Sequence, residues 1–279
     1  MRSVLAALLI ATFAQSLLAQ ATVQTQKQAP AITEINAAME KFVEDKTASG
    51  IVTLVGHKGK IVHLGTVGLA DIERGKEMKP SKLFAIASMT KPIVATCVMI
   101  LQDEGKLNVN DKVSKYIPEF ANVKLKNGDT PKREITIRDC VTHSAGLAGE
   151  QIFKGSLESA VNKLAQKPLA YEPGEKWQYS PGLNVAGRIV EIVSQKKLQD
   201  FMQERIFDPL SMKQTTFFPN QKQIRRMASL YEPSEDKESL VVGVGFLGEL
   251  DKIEAPNPCL LYTSPSPRDQ RGSRMPSSA

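Results

Sequence analysis

The stretch that decides the fold is residues 84–120, FAIASMTKPIVATCVMILQDEGKLNVNDKVSKYIPEF. From Ser88 to Glu104 it is apolar almost throughout, and a helix without a polar face is typical of a protein interior. Gly105 then supplies the expected helix stop. Pro92 costs little because it lies in the first turns, where its missing N–H is tolerated. We therefore predict a buried helix that begins at Ser88.

Ser88 and Lys91 lie three residues apart at the start of this helix, so their side chains share one face. The positive end of the helix dipole favours an alkoxide-like serine oxygen. A buried amine is neutral more readily than an exposed one and can then accept the serine proton. Nucleophile and base would come from one helical turn. The alternative is a serine that caps the helix and a lysine that points into solvent.

Two further Ser-x-x-Lys sequences occur, at Ser194–Lys197 and at Ser234–Lys237. Both lie among polar and charged residues, which would leave the serine and the amine in water. Only Ser88 opens an apolar helix. The surroundings therefore favour Ser88 as the reactive serine.

Two further blocks follow residues 84–120. They are ITIRDCVTHSAGL at residues 135–147 and PGEKWQYSPGLNVAGRIVEIVSQKKLQDFMQERIFDPLSMKQTTF at residues 173–217. Together, and in this order, the three blocks resemble the β-lactamase-related serine hydrolase family. That family holds class C β-lactamases, D-alanyl-D-alanine carboxypeptidases and related esterases. Residues 51–71 are similar to the opening strands of that family. With them, the resemblance covers nearly all of the chain from about residue 32 to residue 220.

The resemblance implies that Ser88 is the acylated nucleophile and Lys91 its proton partner. It also matches Tyr179 to the tyrosine of a Tyr-x-Asn motif, which passes a proton to the leaving group and activates water for deacylation. Taken alone, Tyr179 beside Trp177 also fits an aromatic packing pair. The resemblance implies no cofactor, and because the three histidines have no metal-ligand spacing we predict no metal site.

The chain departs from the family pattern in two places. Pro181 stands where the motif has asparagine and supplies neither a side-chain amide nor a backbone N–H, which weakens β-lactam cleavage more than ester cleavage; Asn184 is the nearest substitute. No Lys/His-x-Gly follows Tyr179, and the earlier His57-Lys58-Gly59 falls in a predicted hairpin turn. The Ser88 backbone N–H is then the first oxyanion donor and the second is missing. We therefore expect the chain as written to be inactive or barely active.

The remaining pattern predicts a helix from Ile32, a hairpin of Ile51–Gly56 with Ile61–Leu64, and several later helices. The later helices are Thr136–His143, Ser156–Gln166, Asn184–Ser194 and Leu198–Phe207. The fold class is α+β, a two-lobed β-lactamase/transpeptidase-like arrangement with an antiparallel sheet flanked by helices plus a helical lobe. The strands that would complete the sheet are missing from the pattern, so we expect an incomplete sheet.

Both ends of the chain differ in composition from its middle. Residues 1–21 have a positive start, an apolar run and a small-x-small end, which predicts a cleaved signal peptide rather than a membrane anchor. Residues 22–31 are predicted to be a mobile leader and residues 32–258 the serine hydrolase domain. Residues 259–279 resemble a translated sequencing adapter, and we expect a disordered, non-native tail. The domain is accordingly expected to be truncated at its C-terminal end.

Charge and composition limit the partners of the chain. The formal net charge of +6 falls to +3 when Arg2 and the two net positive charges of residues 264–279 are set aside. Such a balance, with Lys and Glu interspersed, does not indicate a nucleic-acid partner, and we expect no stable membrane insertion.

These observations predict a periplasmic or secreted serine acyl hydrolase. Its substrate would be an ester, a β-lactam or a D-Ala-D-Ala peptide, that is, a small molecule or a peptidoglycan-derived compound. Two alternatives stay open. One is a non-hydrolytic penicillin-binding or sensor protein acylated at Ser88, and the other is a catalytically dead structural relative. The sequence does not identify substrate-binding residues or the oligomeric state.

Overall fold

The computed structural model describes residues 33–149, 155–236, 238–243 and 261–263. The predicted signal peptide (residues 1–21) and the predicted leader (residues 22–31) lie outside the described residues. Within the described ranges, no helix is both long and apolar enough to cross a membrane.

A helix and a β-hairpin open the described part of the chain. Helix α1 spans Thr33–Glu44, and strands β1 (Gly50–His57) and β2 (Lys60–Asp71) pair antiparallel. The turn residues Lys58 and Gly59 both have positive φ, 48° and 71°, as a two-residue hairpin turn requires. The predicted opening helix and hairpin are confirmed. Strand β3 (Lys76–Glu77) extends the sheet from β2, and α1 packs on β2.

Strand β4 (Phe84–Ala87) leads into helix α2 (Thr90–Asp103), the predicted nucleophile helix. The helix begins at Thr90 rather than at Ser88, because Ser88 and Met89 form a turn between the strand and the helix. It ends as predicted ahead of Gly105, whose φ of 68° suits a helix stop.

Helix α2 is buried on most of its surface but not on all of it. Its inner residues, Val94, Cys97, Val98 and Leu101, are fully buried. Pro92, Thr96 and Met99 are exposed, and Met99 keeps 43% of its surface accessible. The prediction of burial on every side is therefore wrong for this line of residues, since spacings of four and three residues place them on one face.

The helical lobe follows α2 in the chain. Two 3₁₀ turns, Val113–Lys115 and Pro118–Asn122, precede helices α3 (Ile137–Val141), α4 (Leu157–Ala165), α5 (Gly182–Ser194), α6 (Leu198–Met202) and α7 (Gln221–Ile224), with a π-helical turn at Gln203–Phe207 after α6. The four helices predicted for this region are confirmed. Thr136 and Ser156 act as N-caps, because each side chain accepts a backbone N–H of the first turn.

The core forms where α5 packs on α2. Val185, Ala186, Ile189 and Val190 of α5 are fully buried against the inner residues of α2. Helices α3, α4 and α6 also contact α5. This packing fixes the end of α2 that carries the Ser88 turn relative to the segment that enters α5.

Three short strands complete the described chain. Strands β5 (Tyr231–Pro233) and β6 (Leu240–Val242) pair antiparallel, and β7 (Leu261–Thr263) pairs antiparallel with β4. The residues of β7 belong to the segment predicted to be disordered, and the structure differs there because the edge of β4 supplies backbone hydrogen-bond partners. The rest of that segment lies outside the described residues. The predicted α+β class with antiparallel pairing is confirmed.

Candidate active site

Ser88 lies in a tight turn between β4 and α2. Ala87, the last residue of β4, has a φ of 43°, which a residue with a side chain rarely adopts. The Met89 N–H donates to the Ile86 carbonyl at 2.9 Å, and the Lys91 N–H donates to the Ser88 carbonyl at 3.0 Å. The chain therefore turns sharply at Ser88 and leaves its side chain exposed at the mouth of α2.

Lys91 lies in the first turn of α2 and is 6% exposed. Its Nζ donates to Ser88 Oγ at 3.1 Å. The predicted contact is made although the helix begins at Thr90. The turn at Ser88 and Met89 follows nearly the same course as the helix, so Ser88 still lies beside Lys91. The amine is therefore held against the hydroxyl in a largely desolvated position.

Tyr179 reaches the same oxygen from 91 residues further along the chain. Its O–H donates to Ser88 Oγ at 2.6 Å, and its ring centroid lies 4.9 Å from Lys91 Nζ. Ser88 Oγ thus accepts hydrogen bonds from an amine and a phenol, a setting that favours negative charge on this oxygen. The structure brings all three predicted residues together.

The segment that carries Tyr179 is held on residues 143–146, here called the docking loop. Three backbone N–H groups donate to its carbonyls: Ala170 to Gly146 and Gly174 to Ser144, both at 2.8 Å, and Gln178 to His143 at 2.9 Å. At Gly182 a Cβ would lie 2.3 Å from the Cys140 carbonyl oxygen, so the close approach of α5 to α3 requires glycine. Backbone contacts thus set the position of Tyr179.

The docking loop is anchored by an ion pair whose carboxylate is buried and whose Arg133 side chain is exposed. Asp139 of α3 is 4% exposed and accepts two hydrogen bonds from Arg133, at 2.6 and 2.8 Å. Burial alone would raise the pKa of Asp139, but hydrogen bonds from Arg133 and Thr136 outweigh it and hold that pKa below its usual value. The Ser144 N–H donates to the Asp139 carbonyl at 2.9 Å, which ties the loop to α3.

His143 is a site residue that sequence reasoning missed. Its ring centroid lies 4.7 Å from that of Tyr179, and its Nδ1 accepts the Ser180 N–H at 3.1 Å. Burial, and then the positive charge of Lys91, lowers the pKa of His143. The residue falls within the block at 135–147 that carries the family resemblance, but its spacing to other polar residues gives no sign of this role.

Trp177 does not form the aromatic pair with Tyr179 that the sequence alone allowed. Its ring lies edge-on to His143, with centroids 6.0 Å apart, and it is 68% exposed. Met89, next to Ser88, is 65% exposed. Two large apolar side chains, one next to Ser88 in the chain and one against the His143 ring, are therefore open to solvent.

The other Ser-x-x-Lys sequences form no comparable site in the described residues. Lys197 is exposed. Ser234 donates to the Asp236 carboxylate at 2.5 Å, and Lys237 lies outside the described residues. The interpretation that burial separates Ser88 from Ser194 is confirmed for their lysine partners, since Lys91 is buried and Lys197 is not.

The residues named in connection with the two departures from the family pattern can be placed in the structure. Pro181 is the N-cap of α5, and Asn184 is buried in the first turn of that helix. His57-Lys58-Gly59 lies at the predicted hairpin turn. The substitution by Asn184 and the missing second oxyanion donor stay predictions.

The described residues form neither a reactive cysteine nor a metal site. Cys97 and Cys140 are buried free thiols, and burial raises the pKa of Cys97 to about 12, so neither is a ready nucleophile. Among the residues described, no group of three or more His, Cys, Asp or Glu side chains is arranged to hold a metal ion.

Comparisons with known proteins agree on one family. A family model described as beta-lactamase matches residues 35–246. Esterase EstB of Burkholderia gladioli is 31% identical over 202 residues, which cover 66% of this chain and 50% of that protein. Lovastatin esterase of Penicillium rubens is 30% identical over 234 residues, or 74% and 58% of the two chains.

The solved structure of EstCE1, a hydrolase with promiscuous acyltransferase activity, superposes with a TM-score of 0.73 at 23% identity. The match covers 83% of this chain and 68% of that one, and it shows a common fold. The chain spans about half the length of the curated relatives it matches.

Proposed function

Because this chain belongs to the beta-lactamase family, we propose that it is a secreted serine acyl hydrolase that forms an acyl-enzyme at Ser88. One observation carries the proposal: Ser88 Oγ lies 3.1 Å from Lys91 Nζ and 2.6 Å from the Tyr179 hydroxyl oxygen. Both distances are within reach of direct proton transfer. Secretion rests on the composition of residues 1–21.

Acylation would use the three side chains in turn. The Lys91 amine takes the Ser88 proton while Oγ bonds to the acyl carbon, and the carbonyl oxygen becomes an anion that the Ser88 backbone N–H stabilises. When the tetrahedral intermediate collapses, the bond to the leaving group breaks. Tyr179 gives its proton to the leaving oxygen and regains one from the Lys91 ammonium.

Deacylation would run the same relay in the other direction. Water attacks the acyl carbon and gives its proton to the Tyr179 oxygen, whose own proton passes to Lys91. The second tetrahedral intermediate then releases the carboxylic acid, and Ser88 Oγ recovers its proton from Lys91. The enzyme returns to its starting protonation state, as a catalyst must.

Esters are the substrate class that the site supports best. Pro181 offers no side-chain amide or backbone N–H to a substrate amide, and an ester has no amide group that needs this contact. The exposed Met89 and Trp177 side chains offer apolar surface to an acyl or alcohol group. The relatives named as esterases support the same choice.

We expect the chain as written to turn over p-nitrophenyl acetate only slowly. A typical enzyme turns over about 10 times per second, and loss of one oxyanion donor costs about 10²–10³. Steady-state release of p-nitrophenolate at about 0.01–0.1 per second is therefore the expected result. Turnover at the ordinary enzymatic rate would contradict the missing second donor.

A non-hydrolytic penicillin-binding or sensor protein acylated at Ser88 is the second candidate function, because the contacts of Lys91 and Tyr179 with Ser88 Oγ would serve acylation alone. Both candidates predict a covalent adduct with fluorescent penicillin. Only a hydrolase releases more than one equivalent of p-nitrophenolate per Ser88. A single equivalent followed by no further release would select the binding protein.

Replacing Pro181 with asparagine should raise β-lactam turnover relative to ester turnover. The new side chain adds an amide where the family motif has one, and a hydrogen bond contributes about 0.5–1.5 kcal/mol, or roughly a two- to tenfold change in the ratio. Asparagine also suits the N-cap of α5. The measurement is the ratio of nitrocefin to p-nitrophenyl acetate kcat/KM.

Pro181→Ala is the matched control, because it restores the backbone N–H without the side-chain amide. We expect it to leave the ratio near that of the parent chain. An equal change in both variants would assign the effect to the backbone, and no change in Pro181→Asn would remove the role given to this position.

A further inference from the structure

We infer that His143 is a positioning residue that holds Tyr179 over Ser88 by binding the backbone on both sides of it. The inference rests on the proposed function of Ser88 and Tyr179. It concerns a residue that touches neither the nucleophile nor a substrate.

His143 contacts three consecutive residues of the segment that carries Tyr179. Its carbonyl oxygen accepts the Gln178 N–H at 2.9 Å, and its ring Nδ1 accepts the Ser180 N–H at 3.1 Å. Between these bonds its ring packs against that of Tyr179, with centroids 4.7 Å apart and planes inclined by 39°. The phenol is thus held at the residue before it, at the residue after it and on one ring face.

These bonds specify the protonation state of the ring. Because Nδ1 accepts an N–H, it carries no proton, so the neutral ring has its proton on Nε2. The hydroxyl of Ser180, a residue only 1% exposed, also lies 3.4 Å from Nδ1. A second proton on the ring would meet the Ser180 N–H directly and break this hydrogen bond. The bond from the Ser180 N–H to His143 Nδ1 is here called the clamp.

The charges around the ring also favour its neutral form. Lys91 faces it from α2, and Tyr179 and Tyr171 face it from the adjoining segment, where the Tyr171 hydroxyl lies 3.4 Å from the His143 carbonyl oxygen. Asp139 of the preceding helix is occupied by Arg133. Burial and the Lys91 charge lower the pKa of His143 below 6.5, its usual value.

The sign of the pH effect follows from this direction. With its pKa lowered in the folded chain, the neutral clamp is fully present above pH 6.5 and is lost as the pH falls through the folded pKa. Part of the acid limb in the reactivity of Ser88 should therefore belong to His143.

Two substitutions distinguish the hydrogen bond to the Ser180 N–H from the other properties of the His143 ring. His143 has a φ of 58°, a conformation that asparagine adopts more readily than most residues. His143→Asn supplies an amide oxygen that can accept the Ser180 N–H and does not titrate. His143→Ala removes the acceptor and the ring. His57→Asn, at an exposed position of the hairpin, is the control for changing a histidine.

The test is the rate at which a fluorophosphonate probe labels Ser88 in the full chain between pH 5 and pH 9. At pH 7.5 we expect His143→Ala to be about ten- to a hundredfold slower, since small misplacements of reacting groups cost this much. His143→Asn should stay within about threefold of the parent and show a weaker acid limb. His57→Asn should match the parent at every pH.

Amide hydrogen exchange of Ser180, measured by NMR, reports the clamp without any need for reactivity. It should be faster in His143→Ala and close to the parent in His143→Asn. Labelling of the parent chain with no difference in rate, pH profile or exchange for His143→Ala would overturn the positioning role and leave Ser88 in place. Faster exchange in His143→Ala, with no labelling of any variant, would support the clamp and remove the proposed function. If neither labelling nor an exchange difference is seen, both fall.

Discussion

Replacing Ser88 with alanine should abolish covalent labelling by fluorophosphonate and by fluorescent penicillin. The substitution removes the one oxygen that receives hydrogen bonds from both Lys91 and Tyr179. Loss of a nucleophile of this kind costs on the order of 10⁴-fold or more in rate. The measurement is the intact mass of the chain after incubation with the probe, which gains the mass of one adduct in the parent and none in the variant.

Ser194→Ala is the matched control for this experiment. Ser194 begins a second Ser-x-x-Lys sequence, but Lys197 is exposed, so this variant should label like the parent. An adduct that persists in Ser88→Ala would reassign the nucleophile. An unfolded Ser88→Ala chain is not expected, because the Ser88 side chain is exposed and fills no part of the core.

Removing the amine of Lys91 or the hydroxyl of Tyr179 should slow labelling of Ser88 by about 10²–10⁴. Lys91→Met keeps most of the side-chain stem, and Tyr179→Phe removes a single oxygen. Because both groups belong to one proton relay, the double variant should be little slower than the slower single variant. The measurement is the second-order labelling rate of the three variants under identical conditions.

Lys197→Met is the control for the loss of a lysine, and it should label at the parent rate. A Tyr179→Phe variant that labels as fast as the parent would show that the phenol takes no part in acylation. Effects of the two single variants that multiply in the double variant would show that the two groups work independently rather than as one relay.

The sequence predicts the local part of the site well. The contact between Ser88 and Lys91 follows from a three-residue spacing at the start of an apolar helix, and this spacing is readable in the sequence. The turn that exposes Ser88 is not readable there. It depends on the left-handed conformation of Ala87, which no residue preference at that position announces.

The distant part of the site is beyond such rules. Tyr179 reaches Ser88 across 91 residues, and only the resemblance of its surrounding block to a family placed it there. His143 was missed because its role rests on backbone bonds to Gln178 and Ser180, and the side chains of those residues carry no signal of them. The spacing of apolar residues predicts where the later helices lie but not which elements they contact, since periodicity reports burial within an element rather than contacts between elements.

The docking of the Tyr179 segment on residues 143–146 makes chemical reactivity a property of the assembled molecule. Helix α2 can hold Ser88 and Lys91 together by local hydrogen bonds alone, whereas the phenol arrives only after two remote stretches of backbone have joined. A covalent probe therefore serves as a gauge of completed tertiary assembly. Circular dichroism reports helical content whether or not the helices are packed together. The probe therefore distinguishes a chain with native tertiary structure from one that has only its helices.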